Sequence, residues 1–159
     1  VFKAQHTVTK ACPWERNFVG GLTNVVVSGY PHALYKDPAS IYRRDFKGYV
    51  ITRRPYIRLD LKPNIYELSL ACPRGSSGSF VIDDGTGHVC GVVIGSDKSE
   101  VDLHYITEEI IERDGKDVYH KTETSTYGIA IASKDILELE FELLGGKIVN
   151  HLANQNLLD

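Results

Sequence analysis

Short apolar runs separated by turn-forming residues fill the first two-thirds of the chain. Several runs are rich in Val, Ile and Tyr, which favour strands, and each is four to seven residues long, a typical strand length. The pattern predicts seven strands, at residues 24–28, 48–53, 56–61, 65–70, 79–82, 88–94 and 126–132. Seven short strands in one domain favour a closed β-barrel.

The segments between these runs carry Gly, Pro, Asn or Asp, the residues that turns require. Asp84 followed by Gly85 is the dipeptide most typical of a tight hairpin, and it lies between two predicted strands. We therefore expect these two strands to be antiparallel neighbours. The turn segments are Gly29 with Pro31, Pro55, 62–64, 83–87 and 95–99.

The apolar spacing becomes helical near the end of the chain. Apolar residues recur every three or four positions in residues 133–144 and again in 147–158, which predicts two helices. Gly145 and Gly146 lie between them and are expected to end or bend the first helix.

A charged insertion covers residues 97–125. Its ordinary interpretation is a solvated surface excursion. Ile106, Ile110 and Ile111 could form one face of a short amphipathic helix that ends near Gly115. The alternative is a flap that contacts substrate or docks a partner.

Composition is that of an ordinary globular domain. The 159 residues are 42% hydrophobic and 25% charged, enough for one core. The formal charge of -3 argues against a nucleic-acid partner. No apolar run approaches the ~18 residues that a membrane helix needs, so no membrane partner is expected. The arginines form only a modest basic concentration, at Arg43, Arg44, Arg53, Arg54, Arg58 and Arg74.

The cysteines are Cys12, Cys72 and Cys90, an odd number without metal-ligand spacing. They indicate neither a disulfide framework nor a metal site, and nothing suggests an organic cofactor. Buried free thiols are the expected state, and they favour a reducing, cytoplasmic location. Because the chain has no methionine and opens on Val1, we expect it to be a piece or a processed product of a longer protein.

The most informative segment spans residues 72–95. It reads Cys-Pro-Arg-Gly-Ser-Ser-Gly-Ser-Phe-Val-Ile over 72–82 and, after the Asp-Gly hairpin, Gly-Val-Val-Ile-Gly over 91–95. This segment resembles the nucleophile segment of chymotrypsin-like serine peptidases. In both, a glycine, a small residue, a serine and a second glycine are followed by a strand, a hairpin and a strand that contains Gly-Val-Val. The resemblance implies that Ser77 is the nucleophile.

A serine hydroxyl is a weak nucleophile near neutral pH, so acyl transfer needs a base and donors for the developing oxyanion. Gly75 and Gly78 permit a tight loop in which backbone N–H groups converge. By the resemblance, the N–H groups of Gly75 and Ser77 form the oxyanion hole. The resemblance also implies substrate-binding roles for four residues: Ala71 at the bottom of the specificity pocket, and Val93, Ile94 and Gly95 along the strand that lines it. Because Ala71 is uncharged, the pocket is expected to suit an apolar or small P1 side chain.

Two residues depart from the common family pattern. Ser76 stands where many members carry an aspartate that pairs with a newly released N-terminus, so that activation switch is not expected here. Ser79 replaces the most common second glycine.

The resemblance covers most of the chain. Residues 25–31, Val-Val-Val-Ser-Gly-Tyr-Pro, resemble the first strand and turn of the second barrel of these enzymes, and 126–144 resemble its last strand and terminal helix. It implies an all-β fold, a six-stranded antiparallel barrel of the chymotrypsin-like type with a C-terminal helix. The implied organisation is a leading segment or inter-barrel linker at 1–23, the barrel at 24–144 and a helical tail at 145–159.

The segments that carry the resemblance do not include the catalytic base, because a chymotrypsin-like enzyme takes its catalytic His and Asp from the first barrel. His6 precedes Ser77 but lacks the family's histidine signature, and we interpret it as a linker histidine. We expect a first-barrel segment or a companion chain to bring both residues. Trp14 is interpreted as an anchoring contact, and the remaining histidines as local polar residues: His32, His88, His104, His120 and His151.

The expected function is that of a serine endopeptidase subunit or fragment, which forms an acyl-enzyme on Ser77 and hydrolyses a protein or peptide substrate. Self-processing that releases Val1 is one form of this function. The alternative is a catalytically inactive trypsin-like module with a binding or regulatory role, because a fold does not guarantee chemistry.

Overall fold

The computed structural model describes residues 12–31, 42–108, 117–154 and 158, with the backbone alone described over 99–108 and 117–124. Six antiparallel strands close into a barrel in the order β1-β2-β3-β6-β5-β4, which confirms the predicted six-stranded antiparallel barrel. The strands are β1 (Asn24–Gly29), β2 (Arg44–Pro55), β3 (Asn64–Leu68), β4 (Phe80–Asp83), β5 (Val89–Glu108) and β6 (Asp117–Ala132).

The core lies inside the barrel because successive side chains of a strand point to opposite faces. In β1, Val25 and Val27 are buried while Asn24 is exposed and Val26 only partly buried. The same face of the other strands supplies further buried residues around Tyr66, which is fully buried. These neighbours in the core are Val50, Leu68, Val81, Cys90, Val93, Ala130 and Ala132.

The predicted strand at 56–61 is wrong. Residues 57–61 form turns between β2 and β3, and the Tyr56 N–H donates to the Pro63 carbonyl at 2.8 Å to close the connection. Ile57 and Leu61 are 77% and 78% exposed, so their alternation with polar residues reflects no buried face. The other six predicted strands are present, and β2 begins earlier than the pattern indicates.

The charged insertion continues the β5–β6 hairpin. The two strands pair without interruption by any other element from Gly91↔Ala132 to Glu108↔Asp117, apart from two bulges. The predicted amphipathic helix is wrong for Ile106, which lies in β5. Ile110, Ile111 and Gly115 lie outside the described residues.

The predicted helix at 133–144 is wrong beyond Leu137. The Asp135 carboxylate accepts hydrogen bonds from the backbone and side-chain N–H groups of Asn64, which fixes this short helix to the start of β3. Gly145 is left-handed, with φ of 70°, and turns the chain into a second helix, which confirms the later helical prediction in part. The elements are α1 (Ser133–Leu137), β7 (Glu140–Phe141), a 3-10 turn (Glu142–Leu144), β8 (Gly146–Lys147) and α2 (Ile148–Asn154).

The described part of the leading segment packs along the barrel. The Glu15 N–H donates to the Val89 carbonyl at 2.9 Å, and the Ser133 hydroxyl donates to the Glu15 carbonyl at 2.7 Å. Trp14 meets Phe80 edge-on with ring centroids 5.8 Å apart, which is the anchoring contact expected of it. Among the described helices, none has the length and apolar character to cross a bilayer.

Candidate functional site

The loop between β3 and β4 presents the predicted nucleophile. Its two turns are closed by the Ser76 N–H, which donates to the Pro73 carbonyl at 3.0 Å, and by the Ser79 N–H, which donates to the Ser76 carbonyl at 3.0 Å. Two further bonds fix the loop to β5, from the Gly78 N–H to the Val93 carbonyl at 2.8 Å and from the Val93 N–H to the Ser79 carbonyl at 2.9 Å. The loop therefore has a defined shape before any ligand binds.

Glycine is required on both sides of Ser77. Gly75 has φ of 94° and Gly78 has φ of 88°, in the region that side chains with a Cβ rarely adopt. The sequence prediction that these glycines permit an unusual loop is consistent with both angles.

The three serines of the loop have different surroundings. Ser76 and Ser79 are buried, whereas Ser77 is exposed. The Ser77 hydroxyl donates to the Ile94 carbonyl at 3.3 Å. The loop thus directs one hydroxyl outward, beside β5.

Two backbone donors next to this hydroxyl are unused. In the described part of the chain, the N–H groups of Gly75 and Ser77 donate no hydrogen bond, while the intervening Ser76 N–H is occupied. An oxyanion hole needs N–H donors that are not already bonded and that point at one oxygen position, and these two donors meet the first requirement. The predicted pair of donors is therefore available for a ligand.

Ser77 lies between two clefts. The larger has a volume of about 660 Å³ and is lined by Cys12, Ser28, Gly29, Tyr30, Arg43, Gly75, Ser77, Gly78, Ser79, Phe80 and Ile82. The smaller has a volume of about 400 Å³ and is lined by Cys72, Pro73, Arg74, Gly75, Ser76, Ser77, Val93, Gly95, Ser96 and Thr126. A chain lying across Ser77 could place groups in both.

Of the residues predicted to bind substrate, Val93 and Gly95 line the smaller cleft, and Ile94 contacts Ser77 through its carbonyl. Ala71 is exposed and does not belong to the lining, which begins at Cys72. Its role at the pocket base stays a prediction.

Sequence reasoning missed Cys72, Ser96 and Thr126 in this lining. The Ser96 hydroxyl donates to the Cys72 carbonyl at 2.7 Å, which joins β5 to the start of the nucleophile loop. The alternation of side chains along β5 beyond Ile94 is the one sequence feature that could have indicated Ser96. That alternation does not predict that Ser96 bonds to Cys72, which is distant in sequence.

Among the lining residues of the smaller cleft, Cys72 and Ser76 are buried and neutral. Burial raises the pKa of the Cys72 thiol to about 11, so this side chain stays protonated near neutral pH. Ser76 is 2% exposed and its hydroxyl has no hydrogen-bond partner. Arg74 is the only residue of the lining with a formal charge, and it is exposed.

Cys72 and Cys90 are buried free thiols as expected, but Cys12 is exposed, which corrects the expectation for that residue. Burial raises the pKa of Cys90 to about 12. Within the described ranges, no three His, Cys, Asp or Glu side chains are grouped so that they could hold a metal ion.

No histidine with a described side chain lines either cleft beside Ser77. His88 Nδ1 lies 3.9 Å from a Glu15 carboxylate oxygen, and His151 lies in α2. His6 and His32 fall outside the described residues, and the side chains of His104 and His120 are not described. The described residues therefore bring no imidazole base to Ser77.

Several arginines contact groups of the protein itself. Arg54 and Arg58 lie 3.8 and 3.9 Å from the Asp97 carboxylate, and Arg53 lies over the Phe18 ring at 4.1 Å. Arg43 binds Ser28 and Asp45 at 2.8 and 3.1 Å.

Comparison with known proteins gave no match: no protein-family model, no curated protein and no solved structure is significantly similar to this chain.

Proposed function

We propose that this chain supplies the nucleophile and oxyanion hole of a chymotrypsin-like serine endopeptidase. The observation that carries the proposal is the exposed Ser77 hydroxyl, flanked by the unused N–H groups of Gly75 and Ser77 on a loop fixed to β5. Hydroxyl, donors and two adjoining clefts are the parts that acyl transfer needs on the nucleophile side.

In the proposed reaction, Ser77 Oγ attacks the carbonyl carbon of the scissile bond and a base accepts its proton. The Gly75 and Ser77 N–H groups donate to the oxygen that becomes negative. Collapse breaks the C–N bond, the amine leaves with the proton, and an ester remains on Ser77. Water then hydrolyses that ester and regenerates the hydroxyl.

The proposal assigns the base to a His oriented by an Asp from a preceding barrel or a companion chain. The larger cleft supports this, because Tyr30 and Phe80 in its lining are 57% and 43% exposed. Apolar rings beside a nucleophile are suited to burial under a partner domain. The three unpaired thiols support a reducing compartment such as the cytoplasm.

The smaller cleft supports an apolar or small P1 side chain. Its buried lining residues are neutral, and no carboxylate lies among its lining residues to pair with a basic side chain. Lysine or arginine at P1 would leave a buried cation without a counter-ion.

A fluorophosphonate probe tests the nucleophile directly. We expect labelling of the longer protein, or of this chain combined with its partner, and loss of labelling in Ser77→Ala. Ser28→Ala is the matched control, because Ser28 lines the same cleft and should leave labelling intact. Persistent labelling in Ser77→Ala, or none in the complete protein, would reject the proposal.

A second function is favoured by the bond from the Ser77 hydroxyl to the Ile94 carbonyl, in a site to which the described residues bring no base. A binding or regulatory module could retain the loop as a ligand-binding site. This second hypothesis predicts that the parent protein and Ser77→Ala bind peptide equally, and that the fluorophosphonate probe labels neither.

A further inference from the structure

The two edges of β5 differ. One edge pairs with β6 from Gly91 to Glu108. The other pairs with β4 only between Val89 and Val92. Beyond that point no described strand lies on this second edge, which we name the β5 edge and define as residues 94–108.

The β5 edge begins at the nucleophile. Its first carbonyl, that of Ile94, accepts the Ser77 hydroxyl, so it faces the loop and not β6. The Gly128 N–H donates to the Leu70 carbonyl and so faces β3, which means that its partner on β5, Ser96, faces away from β6. N–H and C=O groups of alternate residues face the same side of a strand, and the register to β6 is unbroken from Gly95 to Asp102. Lys98 and Glu100 therefore face the same edge as Ser96, where the Lys98 N–H donates to the Asp97 carboxylate at 3.1 Å.

We propose that the β5 edge binds the polypeptide substrate as an added antiparallel strand, far beyond the residues next to the scissile bond. The proposal rests on the proposed peptidase function and extends it to a substrate class: unfolded or extended chain segments. Adding a strand to an open edge gives affinity through main-chain hydrogen bonds and needs few side-chain pockets.

Strand polarity determines which side of the substrate binds. Antiparallel pairing is somewhat stronger per residue than parallel pairing. With the reacting carbonyl at Ser77 beside Ile94, an antiparallel chain runs so that residues before the scissile bond lie along β5 towards Glu108. Glu100 is then opposite about the seventh residue before that bond, since paired strands advance together.

Charge selects the kind of chain. The ribbon formed by residues 99–108 and 117–124 carries five carboxylates and one lysine, namely Glu100, Asp102, Glu108, Asp117, Glu123 and Lys121. Asp97, nearer to Ser77, already lies by Arg54 and Arg58. A substrate with lysine or arginine about seven or more residues before the scissile bond complements the ribbon.

The test uses the Ser77→Ala chain, so that binding is measured without cleavage. The labelled peptides share a core of about four residues, and the core alone is the reference. Each of the other peptides adds an extension of about eight residues to the N-terminus or to the C-terminus of the core. The extension alternates Thr with Lys in one series and Thr with Glu in the other. We expect the N-terminal Lys extension to lower Kd at least about tenfold relative to the core, and the other extensions to have little effect.

The matched variant lacks the ribbon. Ser99 and Ser125 face each other across the hairpin, so residues 100–124 can be replaced by Asn-Gly, a two-residue turn that joins such a pair. This variant should keep the core's Kd and lose the effect of the extension.

Three results would overturn the inference: equal Kd for core and extended peptides, tighter binding of the C-terminal extension, or sedimentation showing that the ribbon pairs two copies of this chain. Failure of the peptidase proposal appears separately, as absent fluorophosphonate labelling, and leaves the length dependence measurable.

Discussion

Gly29 is the residue at which β1 meets the nucleophile loop. A Cβ at this position would lie 1.8 Å from the Ser79 Oγ and 2.8 Å from its Cβ, so a side chain cannot fit without movement. We predict that Gly29→Ala lowers the free energy of unfolding by about 1–3 kcal/mol through overpacking. Urea denaturation measures the change, and Gly20→Ala, with no atom near its Cβ, is the control.

A double variant tests the cause. Ser79→Gly removes both atoms in the clash, so Gly29→Ala combined with Ser79→Gly should recover about 1 kcal/mol or more relative to additivity. Strictly additive losses would show that Gly29 is needed for another reason.

Tyr66 links the core to the leading segment. Its side chain is fully buried and its hydroxyl accepts a hydrogen bond from the Val19 N–H at 3.0 Å. Tyr66→Phe leaves that N–H without its partner, and we predict a loss of about 1–2 kcal/mol in the free energy of unfolding. Hydrogen exchange in the variant is compared with that in the parent: a larger increase at the Val19 N–H than at the Val27 N–H would locate the effect. Unchanged exchange at Val19 would contradict the prediction.

At this scale, local sequence predicts much of the candidate site. Gly75 and Gly78 flank Ser77 in the chain, and both have positive φ, so a motif read over a few residues identifies the loop. It does not predict that the Ser76 hydroxyl is buried without a partner or that Ser96 bonds to the Cys72 carbonyl. These depend on where β5 lies relative to the loop, which residue spacing does not encode.

The Asp135 side chain fixes helix α1 to the start of β3. The Asp135 carboxylate accepts from the Asn64 backbone N–H and from its side-chain amide at 2.9 Å. We predict that Asp135→Ala costs about 1–3 kcal/mol in unfolding free energy, because the Asn64 donors lose a charged acceptor. Glu142→Ala, at an exposed glutamate, is the control, and equal losses in both variants would refute the anchoring role.

Strands within the barrel are predictable, whereas elements at its margin are not. Val25 and Val27 alternate with less buried neighbours, and this period of two matches β1. Residues 56–61 show a similar alternation, yet Pro55 and Pro63 bracket them and the chain turns. The helical spacing that begins at Ile106 fails at that residue, because β6 pairs with this part of β5 over a long ladder.

For the molecule as a whole, many short apolar runs and turn residues suffice to predict a barrel, but not which strands adjoin. β6 lies between β3 and β5, so β3 pairs with a strand more than fifty residues later in the chain. Closure depends on these distant pairs, which single-sequence patterns cannot rank.

Barrel closure also predicts alkaline instability. Burial raises the pKa of Cys72 to about 11, of Cys90 to about 12 and of Tyr66 to about 12, from ordinary values of 9.0, 9.0 and 10.0. The folded state holds these protons more tightly, so the contribution of these three groups to stability is constant below about pH 9 and is lost as pH rises towards 12. Each group that ionises only on unfolding contributes a slope of about 1.4 kcal/mol per pH unit.

Urea denaturation under reducing conditions at several pH values measures that slope. The thiols act first, so Cys90→Ala should reduce the loss from about pH 9 upward, whereas Tyr66→Phe should reduce it only above about pH 10. Because both variants also lose packing or a hydrogen bond, the slope is compared and not the absolute stability. A parent protein whose unfolding free energy is flat between these limits, or variants with reversed onsets, would mean that the thiols and the phenol reach water in the folded barrel.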